Sequence, residues 1–228
     1  MTGHANSGPR QNRPWIVALL CLICLLIWHV VFITMTRFFT ADQIYPYIQE
    51  FGPVENIQTG VIAALILGLL LYTRRADTDM GWMMVVLAGL LLFREMDAHK
   101  LYAGESIWKL TFYSRFEAPV MFKILAGMFT LSAIGILITF FIRQARPFIT
   151  GLWQGRAVAW ITGSALGGIV LSKLADSFHR TLSFIDLPAG YDRWRVMYEE
   201  SMELTAYTLL LITAILAWRR LPIDINND

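Results

Sequence analysis

Residues 81–93, GWMMVVLAGLLLF, form an unbroken apolar run that stops abruptly at Arg94-Glu95-Met96-Asp97-Ala98-His99. An α-helix rises about 1.5 Å per residue, so crossing a ~30 Å hydrocarbon layer takes about 20 residues. The run is thirteen residues long. It spans a membrane only if Arg94, Glu95 and Asp97 belong to the same helix, which puts charge below the membrane surface. Charge at that depth is costly and is read first as functional.

The chain around this run calls for an apolar solvent. Of 228 residues, 56% are hydrophobic and 16% charged, whereas a soluble domain is roughly a quarter charged and a little under half apolar. Further apolar runs predict an all-α, polytopic bundle of about six transmembrane helices, over residues 15–36, 55–73, 80–99, 118–142, 157–179 and 199–218. They form one domain over 15–220, between a polar N-terminus (1–14) and a short tail (221–228). The first run ends in TMTRFF with no small-residue cleavage site, so it reads as an anchor and not a signal peptide.

A net charge of +2 and the absence of a basic stripe with interleaved aromatics argue against nucleic acid as a partner. Cys21 and Cys24 lie inside the first apolar run, where thiols pack as small hydrophobes. His29 reads as a polar contact between helices. Arginines pack against the span ends on one side: Arg10 and Arg13, Arg74 and Arg75, Arg143, Arg146 and Arg156, then Arg219 and Arg220. The positive-inside rule puts that side, and both termini, in the cytoplasm of a plasma (inner) membrane protein. The opposite loops mix aromatics with Lys and Arg, as suits the headgroup layer, and residues 100–116 read as a short interfacial helix among membrane lipids. Gly163 and Gly167 form a small-xxx-small pattern, a face for tight packing or for a homodimer.

The order of the spans brings the ionisable residues to one membrane level. Glu55 opens the second span, with Gln58 a turn later. Glu95, Asp97 and His99 close the third, Asp176 and His179 the fifth, and Glu199, Glu200 and Glu203 open the sixth. Residues three or four apart share a helix face, so Glu95/His99, Asp176/His179 and Glu200/Glu203 can each aim at a common centre. Several carboxylates with two imidazoles match the ligand inventory of two-metal sites in helical bundles and suit zinc, iron or manganese better than calcium.

The leading expectation is thus a membrane-embedded, metal-dependent enzyme acting on a lipid or amphiphile by hydrolysis or oxidation. Glu55, Glu95, His99, Asp176, His179, Glu200 and Glu203 would hold one or two divalent ions. Asp97 or Glu199 would act as general base or orient a ligand. Arg94, Lys123, Lys173 and Arg180 would balance charge or meet an anionic headgroup. Two alternatives use the same residues: an ion-conducting protein with an acidic outer vestibule, and a non-enzymatic membrane subunit whose polar cluster is an ion-pair network. In general type the chain resembles the membrane hydrolases that hold zinc among their helices, such as ceramidase-like and adiponectin-receptor-like proteins. Those have seven spans and three histidine ligands, against about six spans and two placed histidines here. Its acid-rich list is closer in ligand chemistry to carboxylate-bridged two-metal oxidases.

Overall fold

In a computed structural model, the described residues are 41–48, 52–76, 79–98, 105–114, 117–181 and 191–219, with scattered positions from 23 to 40. They are helical with short turns, and no strand occurs among them. We label the helices α1 (Ala41–Ile48), α2 (Pro53–Ala76), α3 (Asp79–Glu95), α4 (Leu110–Ser114), α5 (Val120–Trp153), α6 (Ala157–Thr181) and α7 (Tyr191–Arg219). Four of them, α2, α5, α6 and α7, are long and apolar enough to cross a membrane. Most of the expected first span falls outside the described residues; Ile23, Ile27, Trp28, Val30, Val31 and Thr34 within it are helical.

The order of packing follows from the side chains. α7 lies between α6 and α2, and α2 also packs on α3. Leu65 and Leu69 of α2, Ala88 of α3 and Ala214 of α7 make one buried cluster. On α6, Gly168 lets the backbone approach α7, since a Cβ there would stand 3.5 Å from that of Ala206. Gly163 faces Phe148 of α5, whereas Gly167 has no atom within 4 Å. The two glycines of the small-residue pattern therefore meet different surroundings.

Three helix ends differ from the spacing-based expectation. α3 stops at Glu95, because Asp97 adopts the left-handed backbone conformation (φ 49°) and ends the helix in a turn. At 17 residues it is about 25 Å long, short of a ~30 Å hydrocarbon layer. α7 begins at Tyr191, two turns before Glu199, so its carboxylates stand inside the helix and not at its opening. α5 runs on to Trp153 and turns into α6 through Gly155, whose φ of 65° needs a glycine. Beside that turn, a Cβ on Gly151 would approach that of Ala159 to 3.0 Å.

α5 packs only lightly on the rest, through α3 and α6. Its Met121, Met128, Leu131 and Ile142 side chains are exposed, an apolar surface compatible with lipid. At its start the short α4 folds back upon it. Phe112 is fully buried against Ile107 and Ala126, while Tyr113 donates to the Ile107 carbonyl at 2.8 Å. α1 is tied to α7 by the Asp42–Arg193 ion pair.

The α2–α3 turn offers a test of packing. A Cβ on Gly81 would meet the buried Thr73 side chain, with its Cβ at 3.0 Å and Cγ2 at 3.1 Å. Gly81→Ala is expected to destabilise the protein by about 1–3 kcal/mol through overpacking. Gly89→Ala, in open space on the same helix, should be neutral or stabilising by up to about 1 kcal/mol. Thermal melts of both variants in one detergent check the contrast.

Candidate functional site: a polar cluster among four helices

α7 supplies most of the cluster because its polar residues recur at helical spacing. Glu199, Glu203 and Tyr207 follow one another at i+4, and Glu200 lies three residues before Glu203, so they line adjoining strips of one face. That face meets α6 at Ser172 and Lys173, α3 at Arg94 and Glu95, and α2 at Gln58.

Glu203 is the centre. It is 2% exposed, and cations from two other helices reach it. Arg94 Nη2 donates to Oε1 at 3.1 Å and Oε2 at 3.3 Å. Lys173 Nζ stands 2.5 Å from Oε1, and Ser172 Oγ donates to the same oxygen at 3.1 Å. The Tyr207 hydroxyl lies 3.4 Å from Oε2. Ionised carboxylates accept at about four lone-pair positions, and these donors use that capacity.

The network continues outward from both cations. Arg94 Nη1 lies 3.5 Å from Glu95 Oε1, which also accepts the Tyr207 hydroxyl at 2.8 Å. Lys173 Nζ donates to Glu199 Oε1 at 2.6 Å, and Arg195 Nη1 stands 3.6 Å from Glu199 Oε2. Gln58 Nε2 donates to the Glu200 carbonyl at 2.7 Å and to Glu200 Oε2 at 3.0 Å. Side chains from α3, α6 and α7 thus meet in one hydrogen-bonded chain, and the Gln58–Glu200 pair joins α2 to α7 beside it. The network has a more open side, since the Arg94 and Lys173 side chains are 35% and 39% exposed.

Of the residues singled out by sequence, Arg94, Glu95, Lys173, Glu199, Glu200 and Glu203 come together here. Glu55 sits half-buried on the first turn of α2, one turn before Gln58. Asp97 lies in the turn after α3, and Lys123 donates to the Tyr113 carbonyl at 3.2 Å, on the α4 side of α5. Asp176, His179 and Arg180 occupy the last turns of α6, with side chains outside the described residues, and His99 lies outside them altogether. Among the described residues no three His, Cys, Asp or Glu side chains are grouped as a metal site.

Three participants were not singled out by sequence: Tyr207, Ser172 and Arg195. Tyr207 had a signal, its i+4 spacing from Glu203. Ser172 and Arg195 had none, because a lone Ser in an apolar helix and a single Arg in an interfacial segment are ordinary.

No known protein family, curated protein or solved structure matches the chain.

Removing the centre should be costly, because two cations lose their partner. We expect Glu203→Ala to destabilise the fold by about 3–5 kcal/mol, as breaking a buried ion pair does. The pair Arg94→Met and Glu203→Leu should be non-additive, with a coupling of about 0.5–3 kcal/mol. Unfolding of the single and double variants in mixed detergent measures both quantities.

Proposed function

We propose that the chain is an integral membrane protein with both termini in the cytoplasm, and that its polar cluster is a charge-compensated lock in a non-enzymatic membrane subunit. The observation that carries this reading is the saturation of Glu203 by Arg94 of α3 and by Lys173 and Ser172 of α6. An ion bound at Glu203 would have to expel two resident cations. Apolar helices in lipid have little hydrophobic preference for one neighbour or register over another, so interhelical polar contacts carry that specification. Buried ionic groups add little net stability against a hydrophobic replacement, and fixing a register is their best-attested use. In this protein the lock fixes how α2, α3 and α6 sit against α7, and so the shape that the bundle presents to a partner subunit.

A metal-dependent enzyme acting on an amphiphile, as hydrolase or oxidase, is the second reading. Its support is that α6 carries His179 less than two turns past Lys173, so an imidazole rides on the helix that enters the cluster. Elemental analysis of detergent-purified protein separates the two, together with melts in the presence and absence of chelator. The lock predicts no stoichiometric metal and an unchanged melting temperature. Stoichiometric zinc, iron or manganese whose removal lowers the melting temperature would establish the enzyme reading instead.

A further inference from the structure

We propose that Glu200 and Gln58 form a proton-binding site, in which Glu200 is a neutral carboxylic acid closed into a ring with the Gln58 side-chain amide. The inference deepens the lock and rests on that reading, because it takes the cluster to be satisfied by the protein's own groups.

Gln58 is 0% exposed. One end of its amide faces two acceptors, the Glu200 carbonyl at 2.7 Å and Glu200 Oε2 at 3.0 Å, so that end is the nitrogen. The amide oxygen is then fixed at the other end, where it is buried with no hydrogen-bond partner. Buried acceptors are rarely left so, and each such case asks for a group that satisfies it. Glu200 itself can supply one. Its Oε2 already accepts from Nε2, on the same carbon as the orphaned oxygen, and no donor reaches its Oε1 among the described residues. A proton on Oε1 would donate to Gln58 Oε1 and close an eight-membered acid–amide ring. A metal ion such as calcium takes six or more oxygens, while two are free here. A proton needs only two.

The surrounding charges agree. The charged and titratable groups of the cluster are Arg94 and Glu95 on α3, Lys173 on α6, and Arg195, Glu199, Glu203 and Tyr207 on α7, with Glu55 on the first turn of α2. Arg94 pairs with Glu203 and Glu95, Lys173 with Glu203 and Glu199, and Arg195 with Glu199. Among the described residues, these three cations are thus each engaged by at least one carboxylate other than Glu200. Glu200 is partnered by an amide in place of a cation, so as a neutral acid it adds no charge beside these pairs. Loss of its proton would open the ring between α2 and α7 and add a negative charge beside the pairs.

Infrared spectra of the full-length protein in detergent, at neutral pH in H2O and D2O, test the assignment. The wild type should show a carboxylic-acid carbonyl band that shifts on deuteration. The band should vanish in Glu200→Gln and persist in Glu95→Gln. In Gln58→Leu it should move to higher frequency, since its hydrogen-bonding partner is gone. Absence of the band in the wild type overturns the proposal, as does its survival in Glu200→Gln or its loss in Glu95→Gln. Should Glu200→Gln not fold, Gln58→Leu decides, because an unmoved band there is also fatal. The lock fails separately: bound metal with chelator sensitivity defeats both readings, whereas a metal-free protein without the acid band defeats only the ring.

Discussion

Two cations from different helices converge on one buried carboxylate, and the bundle depends on that meeting. Arg94 and Lys173 come from α3 and α6, and both reach Glu203 on α7. In an apolar medium each of these charges alone is expensive. Together they form a set that none of the three helices can leave without stranding the others. Hydrophobic contacts such as Leu65, Leu69, Ala88 and Ala214 fill the space between helices. They do not by themselves choose the register, because lipid tails would cover the same surfaces nearly as well.

The spread of contacts around Glu203 gives the site a graded character. On the Arg94 side, Tyr207 bridges to Glu95; on the Lys173 side, Glu199 passes the chain of contacts to Arg195, at the aromatic-rich start of α7. Gln58 attaches α2 by an amide and not by a charge. The helix that contributes no cation is held by neutral hydrogen bonds, so its hold depends on the protonation state of Glu200 in a way that the α3 and α6 contacts do not.

Much of this was legible in the sequence, for a definite reason. Apolar runs mark helices that lipid requires, and the alternation of spans fixes which ends lie together, so Arg94, Glu95, Lys173 and the α7 acids could be assigned to one place from chain order alone. Their partners could not be read that way. Pairing depends on the rotation of each helix about its axis, which comes from packing of small residues such as Gly168 against Ala206. Helix ends were equally opaque. Nothing in Glu95-Met-Asp-Ala-His99 announces that Asp97 will turn left-handed and end α3, and residues 191–198 resemble loop as much as helix. The Glu95–His99 spacing was counted along a helix that stops at Glu95.

The shortness of α3 has a consequence for the lipid around it. Beside a helix about 25 Å long and tipped by Arg94, a bilayer cannot keep full thickness without laying acyl chains on a guanidinium. Thinning the bilayer locally is the less costly response. The neighbouring α5 is twice as long and imposes no such limit. In the membrane topology proposed above, the sheet around the protein is uneven, thinned beside α3 and full beside α5. Arg94 and Lys173, each more than a third exposed, would then meet headgroups and water at that thinned edge.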